Sequence, residues 1–242
     1  MLIGHLPRQV RGRAAEGARN RNSPGTATWD TVAPMVEGTS VPDVLRKARE
    51  TLSAAQLGLS DLVGSVPDRR GMGLWNVAVF GRSVTLVLQN LRTVDRVRFD
   101  AWYAPYKKEM GADPLMQYFT KLRNEILKEG PPRLSGSVYI NRLDPAIMRQ
   151  LERSRPPGAT GFFVGDEWGG VGWTVAQPDG RILKYYVDEP PEMGMIATRH
   201  FQNPPTLHLG KQLPNTTVEA LCTTYVAYLT RLVEAAETHF GS

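Results

Sequence analysis

Residues 122–130 read Leu-Arg-Asn-Glu-Ile-Leu-Lys-Glu-Gly. Two of them, Arg123 and Lys128, are cations of the kind that stabilise phosphate charge, and Asn124 adjoins the first. Lysine titrates near ~10.4, so Lys128 is a fixed cation at neutral pH unless burial lowers its pKa by several units. It can stabilise phosphate charge but is a poor general base. Spacing limits what one chain can do with these groups. On a helix of 3.6 residues per turn, residues five apart point ~140° apart. Arg123 flanks the apolar stripe of Leu115, Phe119, Leu122 and Ile126, while Lys128 faces nearly the other way. A shared site needs a second subunit or a bent helix. The plain alternative is a core helix whose surface charges pair, Lys121 with Glu125 and Glu125 with Lys128.

The same segment resembles the helix of HEPN-type proteins, many of which carry Arg-Asn, three residues, then His and often Glu-Gly. Arg123, Asn124, Glu129 and Gly130 match, and Lys128 stands where the family has its His. The resemblance implies a helical bundle that pairs as a homodimer. It also implies RNase chemistry of the toxin–antitoxin, phage-defence and CRISPR kind, in which the Arg and the His act on the scissile phosphate at the dimer cleft. A histidine titrates near ~6.5 and can both take and give a proton, whereas Lys128 cannot. The catalytic set carried over is therefore Arg123, Asn124 and Lys128, with its base replaced. The expectation is a HEPN-like, catalytically degenerate protein that binds RNA or a partner protein. Were it an enzyme, the motif would make it a metal-independent RNase.

Two other readings stay open. One is a non-enzymatic protein-interaction module. The other is a hydrolase with its site in the β region, where His200 and His208 occur near Asp166, Glu167, Asp188 and Glu189. Those residues show no zinc-ligand spacing, and acids at hairpin ends are usually solvated. Neither a metal nor a cofactor is expected. Cys222 beside Leu221 reads as a small core residue, with no neighbouring base to make it a nucleophile. The glycines between Gly165 and Gly172 lie between strands, so they fit turns and not a phosphate loop. Phe99, Trp102, Tyr103 and Tyr106 recur at helical spacing and read as packing more than as a stacking surface. His239 suits the C-terminal end of a helix.

These residues need positioning elements, and the pattern supplies them. Ser40 caps a helix, Pro42 suits its first turn, and Val44, Leu45, Ala48, Leu52, Ala55 and Leu59 carry it to about Val66. Pro67, Asp68 and Gly71 break it. A second helix, about Leu74 to Leu91, is apolar over most of its circumference and so is central in a bundle. A charged connection leads into a third helix. Asp113 and Pro114 open the helix that carries Arg123, and Gly130-Pro131-Pro132 ends it.

The period then changes. Residues 137–140 read as a strand and 145–153 as a short helix. A meander of 161–165, 171–176 and 181–187 follows, with one or two short strands between Ile196 and Leu209. Thr216 with Glu219 three residues on forms a capping-box pattern. Val218, Leu221, Tyr225, Tyr228, Leu229, Leu232 and Ala236 then line a long last helix. The fold class is α+β: a helical bundle with an inserted small antiparallel β-meander and a long C-terminal helix. Residues 1–38 read as a disordered basic tail. Residues 39–242 form one α+β domain, with helices at 40–130, the β insertion at 135–210 and the last helix at 215–240.

Totals set outer bounds. Apolar residues make up 41% of 242, enough for a real core. The single cysteine excludes an internal disulfide or a cysteine-based zinc site and fits a reducing, cytoplasmic setting. The net charge of +5 belongs mostly to Arg8, Arg11, Arg13, Arg19 and Arg21, set against Glu16. The body is nearly neutral. No uninterrupted apolar run reaches the roughly 18 residues of a membrane span.

Overall fold

The computed structural model describes residues 40–64 and 66–241. The expected N-terminal tail lies outside the described residues. The fold is α+β, as expected: a helical bundle, several small antiparallel sheets and a long C-terminal helix.

Helix α1 is Val41–Val63. The Ser40 hydroxyl accepts the Asp43 N–H at 3.3 Å, and Val44, Ala48, Leu52, Ala55 and Leu62 form its buried face. Helix α2, Pro67–Leu88, begins earlier than expected. Pro67 opens it instead of breaking the chain, because a first-turn residue needs no N–H. Gly71 is accommodated within the helix. α1 and α2 approach closely: a Cβ on Gly73 would stand 2.6 Å from the Gly58 carbonyl oxygen, and one on Gly58 would stand 2.5 Å from Asn76 Cβ. Helix α3 is a single turn, Leu91–Val94. The stretch Pro67–Val94 is long and apolar enough by composition to cross a membrane, although Arg82 interrupts it. Here α2 packs against α1 and the later helices of the bundle, with 44% of its most apolar window buried.

Helix α4, Arg96–Ala112, contains Pro105, and its N-terminus is capped by Asp95, which accepts the Arg98 N–H at 3.0 Å. Helix α5, Pro114–Glu129, starts where Asp113 accepts the Met116 N–H at 2.9 Å. It stops at Gly130, whose φ of +90° favours glycine.

Strand β1, Leu134–Ile140, leads into helix α6, Pro145–Glu152. Strands β2 (Ala159–Val164), β3 (Val171–Ala176) and β4 (Ile182–Tyr186) form the expected meander in the order β2-β3-β4. The pairing of the first strand was not read from the sequence. β1 joins no meander strand. It pairs antiparallel with β5 (Met195–Phe201), from Leu134 opposite Phe201 to Ile140 opposite Met195. The first and last long strands thus close the insertion at its neck. A short hairpin follows, β6 (Leu207–His208) and β7 (Lys211–Gln212).

Helix α7, Val218–Phe240, carries the expected apolar face against α1 and α2. Its cap differs from the expected pattern. Thr217, not Thr216, accepts the Ala220 N–H, and Glu219 is taken by the buried Arg199 at 2.7 Å. A buried guanidinium needs an anionic partner more than a helix end needs a second cap.

Candidate functional site

On α5 the side chains sort by angle. Leu115, Phe119, Leu122 and Ile126 are buried in the bundle. Gln117, Lys121, Asn124 and Lys128, spaced four, three and four apart, fall within ~60° of arc on the opposite side. All four are exposed. This outward stripe holds no carboxylate. The expected surface pairs of Lys121 and Lys128 with Glu125 are absent from the ion pairs of the described residues.

Arg123 is half-buried. It donates from Nη1 to Asn124 Oδ1 at 3.1 Å, makes no ion pair among the described residues, and its Nε is buried without a partner. The structure therefore brings Arg123 and Asn124 together. Lys128 lies in the last turn of the same uninterrupted helix, where a cation suits the dipole. It remains ~140° from Arg123.

Beside this stripe lies a cleft of about 720 Å³ between α2, α4 and α5. Its lining includes Arg82, Arg92, Lys107 and Lys121, with Asp100 as the one carboxylate. Asp100 is already engaged by Arg92 at 2.9 Å and by Arg96 at 3.6 Å. Arg82, Lys107 and Lys121 have no carboxylate within ion-pair distance among the described residues. Thr85, buried in α2, accepts a hydrogen bond from the Arg82 guanidinium and donates to the Arg82 carbonyl at 3.0 Å. Phe99, Met116 and Tyr225 form apolar walls. Tyr225 stacks on Phe119 with ring centroids 4.0 Å apart, and it fits against α2 because position 81 is glycine: a Cβ there would stand 2.5 Å from the ring.

Sequence reading missed Arg82, Arg92 and Lys107. They lie on separate helical segments with no motif spacing. One signal was present: between Arg70 and Arg92 the chain carries a single charge, Arg82. An isolated cation in an apolar helix has to face a polar opening.

The other candidates are dispersed. Asp166 organises the β2–β3 turn. It accepts the N–H groups of Trp168 at 2.9 Å and Gly170 at 3.3 Å, and it holds Lys184 at 2.7 Å and the Tyr186 hydroxyl. Burial opposes its charge, but Lys184, Tyr186 and the backbone donors outweigh burial and hold its pKa below the usual value. Glu167 pairs with the same lysine at 2.9 Å. Glu189 accepts the Met195 N–H at 2.6 Å, and Asp188 is exposed. His200 lies on β5, bridged to Thr217.

His208 is elsewhere, 3.1 Å from Asp113, which also takes the Leu209 N–H at 2.6 Å. Among the described residues no three His, Cys, Asp or Glu converge as metal ligands. Cys222 is fully buried, and burial pushes its thiol well above its ordinary value. Phe99 and Tyr103 are core residues, with Trp102 and Tyr106 packed against them, and Trp102 stacks on His239. Gly165 and Gly169 sit at positive φ in the β2–β3 turn.

The α5 stripe, Arg123 and every cleft residue named above except Tyr225 fall in one stretch of chain. Residues 73–143 match the family model of bacteriophage lambda protein ea47. No curated protein and no solved structure matches the chain.

Proposed function

We propose that this protein is a HEPN-like RNA-binding protein that does not cleave its ligand, acting in the cytoplasm in phage defence or a toxin–antitoxin pair. The observation that carries this reading is the exposed stripe Gln117, Lys121, Asn124 and Lys128, free of carboxylates, with Arg123 bonded to Asn124 beside it. Cations spaced along one helix face suit a single strand, whose phosphates recur along its length. The similarity of residues 73–143 to a phage lambda family supports the setting.

Cleavage would need more. An ammonium at neutral pH has no lone pair to accept a proton, and general acid–base assistance contributes ~10²–10⁴-fold. Arg123 and Lys128 diverge on one helix, so a catalytic cleft would need the homodimer that the resemblance implies. Binding along α5 does not need it.

The test combines binding and cleavage of a single-stranded RNA by wild type, Arg123→Ala, Lys128→Ala and Lys128→His. The expected result is salt-dependent binding, weakened in Lys128→Ala with a shallower salt slope, and no cleavage by wild type. Gain of cleavage in Lys128→His would mean that the site lacks only its base. Robust wild-type cleavage abolished by Arg123→Ala would overturn the degenerate reading. Absence of RNA binding would favour the interaction module instead. A specific feature supports that second reading: Tyr139 and Ile196, directly opposite each other on β1 and β5, are 62% and 60% exposed.

A further inference from the structure

We propose that the cleft between α2, α4 and α5 is a binding site for a nucleoside phosphate. Its volume of about 720 Å³ falls in the range of small-molecule sites, roughly 300–1,000 Å³. Its charge is one-sided. Four cations, Arg82, Arg92, Lys107 and Lys121, face one carboxylate, Asp100, so the lining carries a net +3. Like charges gathered in a concavity repel one another, and low-dielectric walls intensify their field. A bound anion relieves that repulsion, and phosphate offers the oxygens to meet several N–H donors at once.

The donors are partly pre-positioned. Thr85 holds the Arg82 guanidinium from one side and leaves its other N–H groups free to bind. The Gln89 amide is tethered to the Thr85 carbonyl at 3.0 Å. The remaining lining argues for more than an inorganic ion. Phe99, Met110 and Met116 supply apolar surface beside the cations, and the hydroxyl-bearing rings Tyr103 and Tyr225 adjoin them. Burial raises both phenols above their ordinary value, so they stay neutral hydrogen-bond donors. Cations, apolar side chains and neutral polar groups in one cleft together match a phosphate, a base and a ribose.

The site does not rest on the RNA reading, because Arg82 and Lys107 lie off α5. Lys121 and Gln117 belong to both the cleft and the stripe, however. The phosphate could therefore come from a free nucleotide or from the end of a strand lying along α5.

The experiment is calorimetric titration of the full chain with adenosine monophosphate, adenosine, inorganic phosphate, and a trinucleotide with or without a 5′-phosphate. It is repeated on Arg82→Gln and Lys107→Gln, with Arg149→Gln, exposed on α6 and outside the cleft lining, as a control. Lys107 is exposed, so its variant tests the site even if Arg82→Gln does not fold. The expected result is that adenosine monophosphate binds more tightly than adenosine or phosphate. Each cleft variant should lose about tenfold in affinity while the control is unchanged.

If the 5′-phosphorylated trinucleotide binds better than its 5′-hydroxyl counterpart and displaces adenosine monophosphate, the site stands and a strand end is its source. If neither trinucleotide competes, the site stands and a free nucleotide is its source. No binding of adenosine monophosphate, equal binding of adenosine, equal binding of inorganic phosphate, or unchanged affinity in Lys107→Gln would each overturn the proposal.

Discussion

The helical bundle and the β region are held together by different means. Residues from α1, α2, α4, α5 and α7 merge into one buried core, with Leu52, Leu74, Leu88, Phe119, Tyr225 and Leu229 almost wholly removed from solvent. The β region buries a much smaller cluster, Ile147, Leu151, Val171 and Met193. It leaves Ile182, Leu183 and Tyr185 of β4 half or more exposed. Polar tethers do the work there. Asp166 knots the β2–β3 turn, and Arg199 joins β5 to Glu219 of α7 while donating to the Trp168 carbonyl at 2.8 Å. Arg70 of α2 donates to the same carbonyl. Burying apolar area stabilises a region as a whole, whereas tethers act where they are tied. The bundle should therefore unfold cooperatively and the β region should open locally.

The largest effect is expected in the bundle. Leu229 has no exposed surface. Leu229→Ala should cost about 2–5 kcal/mol in urea-induced unfolding, because the rigid surroundings keep the cavity. A cost below about half a kcal/mol would place α7 outside the cooperative unit and erase the contrast.

At the junction, Arg199→Met should cost about 2 kcal/mol, less than a fully buried pair because Glu219 is partly exposed. Amide hydrogen exchange should rise in β1 and β5 and at the start of α7 while the centre of α2 stays protected. Uniform loss of protection would mean that bundle and β region are one unit.

The smallest effect belongs to Asp166. Asp166→Asn keeps an acceptor for the Trp168 and Gly170 N–H groups and loses the bond to a partly exposed Lys184, so about 1 kcal/mol is expected. Acid should mimic it. The folded pKa of Asp166 is lowered from 3.8, so its contribution is fully present above about 3.8 and is lost as pH falls through the depressed value. Near-ultraviolet signals from Trp168 and Trp173 should change in that window in wild type and not in Asp166→Asn. The same change in the variant would remove Asp166 as the cause.

Much of the fold was legible because helix formation is local. Ser40, Asp95 and Asp113 cap helices through bonds to residues three positions on. The apolar stripe of α7 could be read directly from Val218 to Ala236. Proline was the weak point: Pro67 reads as a break or as a first-turn residue, and only its neighbours decide. The same locality made the motif on α5 visible and set the divergence of Arg123 and Lys128, since both follow from 3.6 residues per turn.

Pairing between distant segments is what tertiary structure decided. β1 finds β5 across the whole insertion, and nothing in either strand's own pattern names the other. Glu219 reads as half of a capping box until Arg199 arrives from another element. The cleft is the extreme case: Arg82, Lys107 and Lys121 come from three helices and share no spacing. Their common field exists only once packing turns those helices inward, because charge acts through space and not along the chain.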